Sequence, residues 1–171
     1  MKVLKTKLTG VLRVELDTFE DHRGTYVETY NESTYRRHGI KARFITDDYS
    51  RSVKHVLRGF HSDAKAWKLI SCLYGRFYLV VANCDKSSSD FGKWEAFTLS
   101  ERSHTQILIP PKHGVAHLVL SEETIFHYKQ SAHYDPKRQS SFRWDDERFQ
   151  VWWPVKNPIL SRRDEAGHYV K

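Results

Sequence analysis

The sequence predicts an all-β fold, a double-sheet β-sandwich or jelly roll with few short helices. Three observations carry this expectation. Roughly ten short β-like runs punctuate the chain. Residues 76–82 are apolar on both strand faces, with Phe77, Leu79 and Val81 against Tyr78, Val80 and Ala82, which suits a strand buried between two layers. Helical periodicity is weak throughout. In chain order the expected strands are Val11–Leu16, Thr25–Tyr30, Phe44–Ile45, Val53–Phe60, Leu69–Leu73, Arg76–Ala82, Ala96–Leu99, Gln106–Ile109, Val115–Leu120 and Thr124–Gln130. Tyr74-Gly75 reads as a hairpin-like break between two of them. Ser87–Ser89 reads as a turn, and Glu32–His38 and the segment near Asp164 are the helical candidates.

The chain has 171 residues, of which 39% are hydrophobic and 29% charged. At ~150 residues per domain, one domain spanning 1–171 is expected. This composition excludes a disordered tail, a collagen-like fibre and a disulfide miniprotein. No apolar run approaches the ~18 residues of a membrane span. Met1–Leu16 carries charges throughout, without the apolar core of a signal peptide, so a cytoplasmic protein is expected. Lys and Arg number 28 against 21 Asp and Glu, a net charge of +7 that favours anionic partners. The densest basic patch is Arg36, Arg37, His38, Lys41 and Arg43. No nucleic-acid-binding signature accompanies it, and neither nucleic acid nor membrane is expected as a partner. Cys72 and Cys84 sit in apolar runs and read as buried thiols. Ten histidines raise the question of a metal. His113 and His117 are four apart, but Pro110, Pro111 and Gly114 argue against a helix, and on a strand they would lie about 13 Å apart. No metal site is expected.

Several segments are too polar for pure scaffold: residues 19–28 (Phe-Glu-Asp-His-Arg-Gly-Thr-Tyr-Val-Glu), Leu57-Arg58-Gly59-Phe60-His61 followed by Lys68, Tyr128 with Tyr134-Asp135-Pro136, and Leu160-Ser161-Arg162-Arg163-Asp164. With Phe91-Gly92-Lys93-Trp94 and Trp153-Pro154, their order and number resemble the dTDP-4-dehydrorhamnose 3,5-epimerase family of cupin-type sugar-nucleotide epimerases. The resemblance spans residues 19–164. It implies a cupin-type jelly roll, a homodimer exchanging N-terminal strands, and inversion at carbons 3 and 5 of a nucleotide-linked 4-keto sugar without metal or organic cofactor.

The residues suit that chemistry. A hydrogen beside a ketone is acidic only if the enolate is stabilised. His61 would be the base, since histidine titrates near neutral pH. Asp164 would orient it, Lys68 would face the developing enolate oxygen, and Tyr128 would return a proton to the opposite face. Arg23 and Arg58 would clamp the diphosphate. Tyr26 and Glu28 would contact base or sugar, from the partner subunit or the same one. Thr46, Asp48 and His117 complete the expected substrate contacts.

Other readings of the same residues stand beside these. Ser161-x-x-Asp164 also has the form of a helix cap. Tyr128 shares a strand face with Phe126, as a core aromatic would. Arg23 follows Asp21 as in a turn ion pair, Lys68 beside Trp67 could extend past an aromatic ring, and His117 could be structural. Strand parity sets Arg58 and His61 on opposite faces unless Gly59 hosts a bulge.

The chain departs from the family pattern at Thr46 and Asp48, where Gln-x-Asn is usual, in the short link 62–67, and in Ala116-His117-Leu118-Val119 with the longer loop before it. Acid–base residues survive while the pocket changes. That combination implies enolate chemistry on an altered substrate, such as a GDP- or CDP-linked hexose or heptose, or inversion at one centre. A 3,4-ketoisomerase and a non-catalytic sugar-nucleotide-binding protein are the alternatives.

Overall fold

A computed structural model describes residues 1–169. Its strands are β1 (Lys2–Lys5), β2 (Leu12–Glu15), β3 (Phe19–Asp21), β4 (Gly24–Tyr26), β5 (Thr46–Val53), β6 (Leu57–Asp63), β7 (Lys68–Tyr74), β8 (Arg76–Asn83), β9 (Trp94–Ser100), β10 (Thr105–Ile109), β11 (His113–Val119), β12 (Glu123–Gln130) and β13 (Gln139–Ser141). The helices are α1 (Glu32–Arg37) and α2 (Arg162–Glu165). One antiparallel sheet runs β1-β2-β10-β7-β12-β5, a second runs β13-β6-β11-β8-β9, and β3-β4 forms a separate hairpin.

The two large sheets face each other across an apolar core. Ile70, Ile107, Ile109 and Phe126 come from the first sheet, and Phe77, Leu79, Val81, Leu99 and Val115 from the second. Each sheet is also covered on its outer face. Val80, Ala82 and Phe60 pack under Phe149 and Trp153 of the C-terminal segment. Leu69 and Leu108 pack under Tyr35 of α1 and Ile40. This double covering is why β8 is apolar on both faces, as a strand within a layered sandwich must be.

Helix α1 forms where expected because Asn31 caps it, its side chain accepting from the Thr34 backbone N–H. Both cysteines are free thiols, and burial pushes each up to about 12.

Four local expectations are corrected. Tyr74-Gly75 is not a hairpin: β7 and β8 belong to different sheets. The chain changes layers at Gly75, where φ is +75° and a Cβ would lie 2.1 Å from the Glu123 carbonyl oxygen. The run Val53–Phe60 is broken at Lys54-His55, with His55 at φ 66°, so its halves also enter opposite sheets. Phe44–Ile45 precedes β5 rather than forming a strand, and β4 stops at Tyr26 instead of reaching Tyr30. The expected runs were located by apolar content, whereas strand ends are set by where the backbone must turn between layers.

Candidate active site

Between the sheets lies a cavity of about 260 Å³ floored by the core residues Ile70, Val115 and Phe126. β6 brings two polar side chains to it. In its pairing with β11, Val115 opposes His61 and His117 opposes Arg58, so three steps on β6 match two on β11. The extra residue is a bulge, and it turns Arg58 and His61 onto the same face. Gly59 permits it: φ is +122°, and a Cβ there would meet the Val115 carbonyl oxygen at 2.4 Å and the Ala116 Cα at 2.6 Å. Simple parity, which would have separated Arg58 from His61, fails for this reason.

Asp164 arrives from 103 residues away because the C-terminal segment is tied to the start of β6. Ile159 donates to the His55 carbonyl at 2.9 Å and accepts from the Leu57 N–H at 3.0 Å. Ser161 then caps α2, and Asp164, in its first turn, is 3% exposed. Its Oδ1 lies 2.7 Å from His61 Nε2 and accepts from the Gly59 N–H at 3.3 Å. Ser161 Oγ donates to Oδ2 at 2.7 Å. The cap and the dyad are therefore one arrangement. Burial alone would raise the Asp164 carboxyl, but the hydrogen bonds from His61 and Ser161 override it and hold it below the usual carboxylate range. With Nε2 engaged, the other ring nitrogen of His61 is left to accept a proton.

Lys68 opens β7 and donates from Nζ to the His61 carbonyl at 3.3 Å. Burial pulls its pKa down to about 8, opposed by Asp63 and reinforced by Arg163. Tyr128 on β12 lines the cavity from the first sheet, while His61 lines it from the second. Burial, then the Asp48 carboxylate, raises the Tyr128 phenol, with Arg58 opposing, so it stays protonated. His117 stacks on Phe126, with ring centroids 3.9 Å apart and planes at 6°. Burial pushes its pKa down to about 3, and its buried Nε2 has no hydrogen-bond partner among the described residues. It is a neutral wall residue.

Arg58 is held by Ser52 at 3.1 Å. Arg163, which sequence reasoning missed, also lines the cavity and donates to Ser141 at 3.0 Å. Its signal was its place beside Asp164 in the same quoted segment. Tyr134 likewise lay within a segment already singled out, whereas Ser50, Gln130 and Gln139 had no distinguishing pattern. Among the described residues, Arg58, Lys68 and Arg163 are the cations of the lining, and no carboxylate lines it. Such a pocket selects an anionic ligand.

Not every expected contact is assembled within one chain. Arg23 is paired with Asp21 at 2.6 Å, and Tyr26 is 65% exposed; both belong to the β3–β4 hairpin, away from the cavity. Glu28 instead accepts from Asn31. Arg23 and Arg58 thus do not meet in one chain, because the hairpin forms its own small sheet rather than joining the cavity wall. On β5, Ser50 lines the cavity, whereas Thr46 and Asp48 stand farther along the same strand face, opposite Gln130 and Tyr128. Among the described residues no group of three or more His, Cys, Asp or Glu is placed to hold a metal ion.

A family model for dTDP-4-dehydrorhamnose 3,5-epimerase matches residues 5–171. The chain belongs to this family of carbohydrate epimerases. It is 36% identical to the dTDP-4-dehydrorhamnose 3,5-epimerase of Shigella flexneri, over 98% of this chain and 94% of that protein. A Legionella pneumophila epimerase crystallised with dTDP-4-keto-L-rhamnose superposes with a TM-score of 0.94 at 30% identity, covering 99% of this chain and 92% of the other. The Bacillus anthracis epimerase, with TDP and PPi bound, also gives 0.94, at 31% identity and 98% coverage of both chains. The family's cupin-type jelly roll is the sandwich described above.

Proposed function

We propose that this chain epimerises a nucleotide-diphosphate 4-keto sugar at carbon 3, carbon 5 or both, through an enolate and without a cofactor. The observation that carries the reading is the placement of base and acid. The His61–Asp164 dyad and the Tyr128 phenol come from opposite sheets and face one cavity. The free nitrogen of His61 removes the hydrogen beside the ketone, and Asp164 stabilises the imidazolium that results. Lys68 supplies positive charge to the enolate oxygen. Tyr128 delivers a proton to the opposite face, which is what inversion requires.

Arg58 and Arg163 hold the diphosphate, and His117 offers its unpaired nitrogen to the ligand. The relatives bound to dTDP-4-keto-L-rhamnose or TDP support a dTDP-linked substrate. Asp48 and Thr46 favour a partner rich in hydrogen-bond donors, as sugar hydroxyls or a guanine or cytosine edge would be. The protein works as a single-domain cytoplasmic homodimer with exchanged N-terminal strands, and the exposed hairpin carries Arg23 and Tyr26, with Glu28, into the neighbouring subunit's cavity. Its +7 charge serves an anionic metabolite rather than nucleic acid or membrane.

The test is incubation with dTDP-4-keto-6-deoxyglucose, and with GDP- and CDP-linked analogues, in deuterium oxide. NMR should show deuterium entering beside the ketone and inversion at the exchanged carbon. Tight binding with background exchange would mark a non-catalytic binder, and a displaced carbonyl a ketoisomerase.

A further inference from the structure

Asp63 is a buried carboxylate, 2% exposed, that the mechanism above does not use. It ends β6, two residues after His61 and on the same strand face. Its Oδ1 accepts from the Lys65 N–H at 2.7 Å and the Ala66 N–H at 2.8 Å. Those two residues lie in the four-residue link between β6 and Lys68, the segment already notable for its shortness. Its Oδ2 accepts from Gln139 Nε2 at 2.5 Å, across the register pair joining β13 to β6. Gln139 lines the cavity. With its amide nitrogen committed to Asp63, its carbonyl oxygen remains as an acceptor in a lining otherwise dominated by cations.

We infer that Asp63 is a positioning residue: it locks the link that sets Lys68 beside His61, places a counter-charge behind that lysine, and fixes Gln139 with its carbonyl toward the ligand. This rests on the reading of Lys68 as the group facing the enolate. The other groups around Lys68 do not replace Asp63. His61 offers only its carbonyl, Arg163 from α2 is a like charge, Tyr128 shares the β12 face as a protonated phenol, and the register partners Gln130 and Ile109 are uncharged. Consistent with this, Asp63 is the group that opposes the depression of the Lys68 pKa.

The substitution Asp63→Asn keeps an oxygen for the link's two N–H groups but removes the charge and turns a donor toward Gln139. Gln139 must then flip to accept, presenting its amide nitrogen to the cavity. The experiment reads Lys68 directly in the ligand-free protein, by pH-dependent acetylation quantified at the Lys68 peptide. In Asp63→Asn the Lys68 midpoint should fall by about one pH unit. The alkaline limb of the exchange rate should move down in parallel, and KM should rise severalfold. The double variant Asp63→Asn with Gln139→Glu returns a carboxylate across the same hydrogen bond and should restore the midpoint. A cap alone would leave the midpoint unmoved in Asp63→Asn, and that result overturns the inference. Should the single variant not fold, the double variant still decides: a midpoint below that of the wild type by a full unit defeats the counter-charge role. A shifted midpoint with no detectable exchange in any variant, wild type included, would instead defeat the proposed epimerase chemistry and leave the positioning role standing.

Discussion

The described residues contain two histidine–aspartate pairs, and they sit in unlike surroundings. His61 meets Asp164 at 2.7 Å, facing the cavity between the sheets. His127 meets Asp47 at 2.5 Å on the outer face of the first sheet, one residue from Tyr128 in sequence but on the other side of the strand. Asp164 is buried and bonded by Ser161 and Gly59. Asp47 is 55% exposed at its side chain and shared with Lys129, whose ammonium also lies 5.5 Å from the Tyr30 ring centre. Burial would raise Asp47, and the bonds from Lys129 and His127 lower it. Both carboxylates are thus held ionised, yet of these two pairs only His61–Asp164 faces a cavity with a phenol across the gap. A histidine–carboxylate pair becomes a base through what it faces, not through its own hydrogen bond.

The sharpest way to break this comparison is to disable each pair. His61→Asn should lower deuterium exchange by about 10³-fold or more, whereas His127→Asn should leave exchange within about twofold of wild type. Equal losses would erase the distinction. Next in size, Asp164→Asn should reduce exchange by about 10²-fold and destabilise the fold. Its carboxyl is lowered in the folded state. Its contribution is therefore fully present above the unfolded value of about 4 and is lost as pH falls through the folded value. The gap in unfolding free energy between this variant and wild type should narrow on acidification, measured by urea titration at several pH values.

Gly59→Ala tests the bulge that distinguishes the inner face of β6. Its Cβ would strike the Val115 and Ala116 backbone at a positive φ. A loss of about 3 kcal/mol in unfolding free energy is expected, with Arg58 and His61 no longer facing one cavity. The smallest effect belongs to the outer pair. His127→Asn should cost about 1 kcal/mol, because its partner is solvent-exposed.

Much of the architecture was legible in residue order. The doubly apolar run 76–82 announced a covered two-sheet fold, and Glu32–His38 was the candidate for what forms as α1. His61, Lys68, Tyr128 and Asp164 were all named from motifs; the cavity collects the first three with Arg58 and His117, and Asp164 is joined to it through His61. Misreadings clustered at crossings between layers. Gly75 looked like a hairpin tip because local pattern records a turn without recording which sheet each flank joins. Arg163 was passed over because charge alone does not distinguish a cavity cation from a solvated one. Arg23 and Tyr26 were chemically plausible contacts that the chain leaves on an exposed hairpin, and Glu28 stands beyond it, bonded to Asn31.

By itself, then, the sequence determined layer composition and the chemical kinds of group available, since burial periodicity and side-chain identity are local properties. Tertiary structure alone decided that Arg58 shares a face with His61, that Asp164 serves as both helix-end residue and imidazole partner, and that His127 stays outside. Those outcomes depend on a backbone bulge, on a strap pairing residues a hundred positions apart, and on which side of a sheet the cavity opens. Each is a long-range constraint that no short window of residues encodes.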